Sequence, residues 1–273
     1  MEAIPSLKKH KKKVLFTLFT LTKIPFIIYL VFTLSTVPAI DAVSYKTVYG
    51  AHRGDSVDYF ENTAEAIESA AKDQDYQFIE FDLQYTKDGK IVVFHDNGLL
   101  RTTGYSGNIS DLTYEEIQNM TNFYVPLYEE VMDLIPEEKK LNIEIKSQGD
   151  LEEDKALLDY VVQDITNRGI RENIMISSVS AEVIIYSKQA YPDIKTGKIY
   201  WIHKSTYIPL DFLTEDLYED IETFDADYLM LHGSNIHNMS SLVKHKPEDT
   251  TLVFWYFDNQ MYLVEIDETD GMW

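Results

Sequence analysis

The sequence predicts a (β/α)8 barrel, and three observations carry that expectation. From about Asp41 onward, short β-rich runs alternate with longer amphipathic stretches, the pattern of a parallel sheet covered by helices. Seven of these runs are strand candidates and an eighth begins near Asp270, which suits a closed barrel better than an open sheet. The polar residues able to do chemistry fall at the carboxyl ends of the runs, where barrels of this kind gather their active groups.

The elements follow in order. Thr47–His52 is the first strand, and Asn62 with Glu65 resembles a capping box opening a helix over Thr63–Lys72. Gln77–Leu83 is the second strand. Lys87-Asp88-Gly89 turns it back into an extra strand, Lys90–His95, expected as a hairpin partner. Residues Asn97–Pro136 break the rhythm and read as an insertion over the barrel mouth. Strands at Lys140–Lys146, Ile174–Ser177, Thr196–Tyr200, Asp227–Leu231 and Thr251–Tyr256 are interleaved with helices at Leu151–Arg168, Ala181–Ala190 and Leu213–Phe224. A last helix is expected over Gln260–Glu268. Asp270-Gly271-Met272-Trp273 then opens the eighth strand, so the final strand and its helix are truncated in this reading.

Composition sets outer bounds. The 273 residues are 45% hydrophobic and 13% aromatic, enough to fill a sizeable core and to exclude disorder as the main state. Cysteine is absent, which excludes disulfides and thiolate metal sites. Residues 1–40 hold six lysines and one glutamate, net +5, against −27 for residues 41–273 and −22 for the whole chain. Such an acidic domain repels nucleic acid and anionic lipid. A phosphate-bearing substrate must therefore meet a locally positive site, which a divalent metal with Arg53 and a lysine would supply.

The N-terminus is read separately. Lys8, Lys9 and Lys11 to Lys13 precede an apolar run from Val14 to Ile40, interrupted by Lys23 and Pro25. A helix from Val14 to Val37 would span roughly 36 Å, enough to cross a bilayer. The lysines would keep its start in the cytoplasm and put residues 41–273 outside. The competing reading is a cleaved signal peptide, with small residues at Val37-Pro38-Ala39, giving a secreted protein.

Between Gly50 and Gly104 lie His52 and Arg53, Glu61, Glu80 and Asp82, and His95 with Asp96. Glu80 and Asp82 are spaced i, i+2 and share one face of a strand, as do Glu144 and Lys146 on the next one. Singly, each signal has an ordinary structural explanation. A carboxylate pair is the solvated face of a strand, a strand-end histidine is a satisfied polar group, and Glu144 with Lys146 is a surface ion pair. Their ordered gathering at strand ends points instead to phosphate ester chemistry. Three carboxylates without a thiol favour a hard cation such as Mg²⁺ or Ca²⁺.

Read in order, His52-Arg53-Gly54, Glu61-Asn62-Thr63, Glu80-Phe81-Asp82, Thr86-Lys87-Asp88-Gly89, His95-Asp96, Arg101-Thr102-Thr103-Gly104 and Glu144-Ile145-Lys146 resemble the glycerophosphodiester phosphodiesterase family. The Val253–Asn259 stretch with Trp255 is similar to that family's tryptophan-bearing seventh strand, and the likeness runs from about Val48 to the end. The family's T-D-x-P ending of the final strand is absent. The resemblance implies that Glu80, Asp82 and Glu144 hold one divalent cation, with Glu61 behind them. It implies that His52 and His95 are the general acid and base, with Arg53 and Lys146 on the phosphoryl oxygens. Trp255, at the end of the seventh strand, is expected either to pack against the glycerol face or to serve the core. By the family's route, the glycerol 2-hydroxyl attacks phosphorus to give a cyclic phosphate that water opens.

The expected function is thus metal-dependent hydrolysis of small-molecule glycerophosphodiesters to glycerol 3-phosphate and an alcohol. The expected setting is a single-pass anchor in the cell membrane, with the catalytic domain extracytoplasmic. One alternative is a lysophospholipase D-type activity on lysolipids; another is a catalytically silent barrel that only binds.

Overall fold

The computed structural model describes residues 46–201, 203, 205, 210–257 and 260–265. The basic arm and apolar run of residues 1–40, with the anchor or signal peptide expected there, lie outside the described residues. So does the expected start of an eighth strand near Asp270. Among the described residues, no helix is long and apolar enough to cross a membrane.

Seven strands run parallel around a barrel: β1 (Lys46–His52), β2 (Phe78–Tyr85), β4 (Lys140–Ile145), β5 (Ile174–Ser178), β6 (Lys195–Tyr200), β7 (Tyr228–His232) and β8 (Thr251–Phe257). The hairpin strand β3 (Ile91–Val93) pairs antiparallel with β2, as its turn sequence predicted. Helices cover the outside: α1 (Ala64–Lys72) after β1, α5 (Leu151–Arg168) after β4, α6 (Ala181–Ala190) after β5, α7 (Asp211–Phe224) after β6 and α8 (Met239–His245) after β7. Between β3 and β4 come the short helices α2 (Leu100–Thr103), α3 (Tyr114–Met120) and α4 (Tyr128–Met132). A cluster of Val92, Phe94, Leu99, Ile109, Ile117 and Val125 gives this interrupting segment a small core of its own.

Closure of the barrel corrects the expectation of a helix over Gln260–Glu268. Those residues form a strand, β9 (Gln260–Glu265), antiparallel to both β8 and β1. Lying between β8 and β1, it fills the gap that a parallel eighth strand would occupy. The physical reason is the pair of edges that β1 and β8 would otherwise leave open, each a row of unpaired backbone groups. Local periodicity in so short an apolar run does not separate helix from strand.

Strand alternation decides which side chains face inward. On β2, Ile79, Phe81 and Leu83 point out into the layer shared with α1 and α5, while Phe78 belongs to the barrel interior. Glu80 and Asp82 therefore share the interior face with Phe78, above it along the strand. Likewise Leu141, Ile143 and Ile145 of β4 pack outward, leaving Asn142 and Glu144 inside. The lower interior is filled by Phe78, Met175, Tyr228, Met230 and Val253. At Gly50 a Cβ would lie 2.1 Å from the Phe78 ring, so only glycine lets that ring cross the barrel. This apolar floor leaves the polar groups at the carboxyl end as the lining of a mouth.

Candidate active site

The site is built on two ladders. His52 of β1 lies opposite Glu80 of β2, and Asp82 of β2 lies opposite Glu144 of β4. One ligand atom from each of Glu80, Asp82 and Glu144 falls within 4.8 Å of the others, and all three residues are buried. Three buried oxygen donors with no sulfur or imidazole among them suit a hard divalent cation. Burial, then repulsion from Asp82 and Glu144, raises the Glu80 carboxyl well above its usual range. Burial also raises Glu144, although Lys146 opposes it. Asp82 goes the other way. Burial would raise it, but the charges of Lys146, His95 and Arg53 outweigh that and hold it well below the usual carboxylate range. A cation at the triad would relieve the crowding of negative charge that disfavours the ionised forms of Glu80 and Glu144.

The cationic groups interlock with these acids. Lys146 Nζ lies 2.7 Å from Glu144 Oε1 and 3.0 Å from Asp82 Oδ1. Arg53 follows β1 in a left-handed conformation (φ 61°), and Gly54 continues it at φ 74°. A Cβ at Gly54 would meet the backbone of Ala66 at 2.7 Å, so the turn runs tightly against α1. A left-handed non-glycine residue costs about 1–3 kcal/mol and persists where surrounding contacts over-determine it. Here the Arg53 N–H donates to Glu80 Oε2 at 2.8 Å, and its guanidinium meets Glu61 at 3.0 and 3.1 Å. Arg53 Nε also lies 3.8 Å from Asp82.

The two histidines differ in setting. His52 is buried, with Nε2 at 3.9 Å from Glu80 Oε2. Burial, then the charge of Arg53, holds its imidazole well below the usual value, so it is neutral near pH 7. His95 stands after β3, with Nδ1 2.6 Å from Asp96 Oδ1. Beside it opens a cavity of about 440 Å³ lined by His95, Asp96, Asn97, Glu144, Lys146 and Ser180. A larger hollow of about 710 Å³ lies behind the hairpin, lined by residues such as Tyr85, Lys90, Glu153 and Tyr160, and none of these acids or histidines lines it.

Trp255, near the end of β8, is buried with its ring centroid 6.2 Å from that of His52. It also meets His232 at 4.9 Å and Trp201 at 5.1 Å, forming an aromatic wall on the β7–β8 side. All the residues singled out in the sequence, His52, Arg53, Glu61, Glu80, Asp82, His95, Glu144, Lys146 and Trp255, thus gather at one end of the barrel.

Some participants were not read from the sequence. Asn62 is not the helix cap expected of it: Thr63 caps α1, its hydroxyl accepting from the Ala66 N–H. Asn62 instead donates to Asp82 Oδ2 at 2.8 Å. Arg101 reaches Asp96 and Glu61 from α2, and Trp201 stands half exposed just past β6. The ordered Arg-Thr-Thr-Gly motif was the one signal that could have drawn attention to Arg101.

Comparison with known proteins bears on this end of the barrel. The sequence model of the glycerophosphoryl diester phosphodiesterase family matches residues 52–269. A curated glycerophosphodiester phosphodiesterase from Caldanaerobacter subterraneus subsp. tengcongensis is 34% identical over 166 residues, covering 57% of this chain and 67% of that one. The chain spans 56%, 67% and 63% of the length of the first three curated relatives it matches. The crystal structure of a Thermotoga maritima glycerophosphodiester phosphodiesterase is 25% identical with a TM-score of 0.59, covering 77% of this chain and 86% of that one. An Oleispira antarctica phosphodiesterase, solved with the product sn-glycerol-3-phosphate, has the same fold at 23% identity and a TM-score of 0.60, covering 76% and 83%. The family match begins at His52 and takes in both ladders of the mouth, Trp255 and the returning strand β9: the chain belongs to the glycerophosphoryl diester phosphodiesterase family.

Proposed function

We propose that this protein hydrolyses glycerophosphodiesters to glycerol 3-phosphate and an alcohol, using a divalent cation held by Glu80, Asp82 and Glu144. The observation that carries the reading is the meeting of those three buried carboxylates with two imidazoles and two cationic side chains at one barrel mouth. When bound, the cation supplies Lewis-acid neutralisation of phosphoryl charge. Arg53 and Lys146 orient the diester through its non-bridging oxygens. Neutral His52 can accept a proton. His95, with Nδ1 committed to Asp96, keeps Nε2 for exchange. In the first step the glycerol 2-hydroxyl loses its proton to one imidazole as its oxygen bonds to phosphorus. The phosphorus–alkoxide bond breaks, and the other imidazole protonates the departing alcohol. Water then opens the cyclic phosphate, with the two proton transfers reversed. Trp255 and its aromatic neighbours offer an apolar face to the carbon skeleton.

The topology inferred from the N-terminal lysines and apolar run completes the reading: a single-pass anchor with the barrel on the outer side of the cell membrane. The function is tested by incubating the full chain with glycerophosphocholine, glycerophosphoethanolamine, glycerophosphoglycerol and lysophosphatidylcholine. Release of glycerol 3-phosphate from the first three supports the reading. Turnover of lysophosphatidylcholine alone transfers it to a lysophospholipase D, and no turnover of any of them favours a binding module.

A further inference from the structure

Arg101 sits in the four-residue helix α2, half exposed, yet all three of its guanidinium nitrogens donate to carboxylates. Its Nε donates to Asp96 Oδ2 at 2.5 Å, Nη1 donates to Glu61 Oε2 at 3.2 Å, and Nη2 donates to Glu61 Oε1. Asp96 turns its other oxygen to His95 Nδ1 at 2.6 Å, and Glu61 turns both of its oxygens to Arg53 Nη1. An unbroken chain of charged hydrogen bonds thus runs His95–Asp96–Arg101–Glu61–Arg53. Its two ends carry the proposed acid–base and phosphate-binding roles, and Arg101 at its centre is not among the residues lining the cavity beside His95.

Surface pairs of half-exposed arginine contribute little to stability, typically about 0–1 kcal/mol. Glu61 already has a cationic partner in Arg53 and does not need a second to be satisfied. What the second arginine adds is geometry. A guanidinium fork is planar and fixes two carboxylates relative to each other, as a lysine cannot. A carboxylate accepts and does not donate, so Asp96 obliges His95 to carry a proton on Nδ1 and leaves Nε2 as the nitrogen open to proton exchange.

We infer that Arg101 is a positioning residue, which through Asp96 sets the tautomer and tilt of His95 and through Glu61 sets the guanidinium of Arg53. The segment between β3 and β4 thereby has to be seated before the two ends of the site come into register. The inference rests on the roles proposed for His95 and Arg53, so its test needs a readout that survives their failure.

The experiment compares the full chain with Arg101→Ala, Arg101→Lys, Asp96→Asn and the Arg101→Ala/Asp96→Asn double variant. It measures kcat, KM, thermal midpoint and the ¹⁵N shifts of the His95 ring. Arg101→Ala should lower kcat about 10- to 100-fold, the usual effect of losing a partner that orients an active group, with the midpoint nearly unchanged. Arg101→Lys should keep the charge and recover little of kcat, since one ammonium does not span both carboxylates. In the double variant the two losses should multiply only in part, because both act through the His95 imidazole while Arg101→Ala alone also releases Glu61. The ¹⁵N spectrum should shift from a single Nδ1–H tautomer toward a mixture. Three results would overturn the inference: a kcat for Arg101→Ala within twofold of the parent, full rescue by lysine, or unchanged His95 shifts. If the parent turns over no glycerophosphodiester, the functional reading fails, and the ¹⁵N arm alone still decides the positioning claim.

Discussion

Asn62 and Asp82 hold each other twice: Asn62 Nδ2 donates to Asp82 Oδ2 at 2.8 Å, and Asn62 Oδ1 accepts from the Asp82 N–H at 3.3 Å. The amide reaches this position because its backbone is left-handed, at φ 58°, a conformation asparagine tolerates better than most residues. It fixes one oxygen of a carboxylate whose other oxygen faces Lys146. Asn62→Gly keeps the backbone conformation and removes the amide. Cation affinity, measured by titration calorimetry, should then fall about 10- to 100-fold with the fold retained. Unchanged affinity would show that Asp82 needs no such support.

The histidines provide a second test. Replacing His52 or His95 with Ala should lower kcat by about 10² to 10⁴ with little change in thermal midpoint. His203 and His245 have local partners, Ser205 for the first and Asp211 with Glu215 for the second. Their alanine variants should be near silent. Equal losses from all four would mean that the histidines act through folding.

Asp96 gives a pH dependence with a definite sign. Burial would raise its carboxyl, but hydrogen bonds from His95 and Arg101 outweigh that and bring it down to about 2. A carboxyl held lower in the folded chain than its unfolded value of about 3.9 stabilises the fold above that value. The contribution fades as pH falls toward 2. The gap in thermal midpoint between the parent and Asp96→Asn should be constant above about pH 5 and should close between pH 4 and pH 2. A gap independent of pH over that window would remove the ionised Asp96 from the account.

The proposed topology rests on charge placement. Five lysines lie between Lys8 and Lys13, directly before the apolar run, and lysine on the cytoplasmic side sets orientation while acidic residues contribute little. The full chain should require detergent, residues 41–273 alone should be soluble, and protease added to intact cells should digest the barrel. Protection of the barrel until lysis would reverse the orientation.

Much of this site is legible in the sequence because a strand's period of two is rigid. Once Ile79, Phe81 and Leu83 are read as the outer face of β2, Glu80 and Asp82 have no direction left but inward. The same holds for Glu144 between Ile143 and Ile145 on β4. Partners brought together across distance were not legible. Arg101 meets Glu61 across forty residues of chain, and nothing in the spacing of either announces the other. Asn62 was assigned to its nearest helix because capping is a local rule, whereas its real partner is on the neighbouring strand. The strand β9 was hidden for a related reason, since what makes Gln260–Glu265 a strand is the pair of edges on either side of it.

The most direct test is of the triad itself. Glycerol 3-phosphate release by the full chain should cease after dialysis against EDTA and return with Mg²⁺ or Ca²⁺. Glu80→Gln, which removes one of the three donors at nearly constant volume, should bind neither ion and should not recover. Full turnover by metal-free protein, or recovery of Glu80→Gln on adding either ion, would contradict a reaction built on Glu80, Asp82 and Glu144.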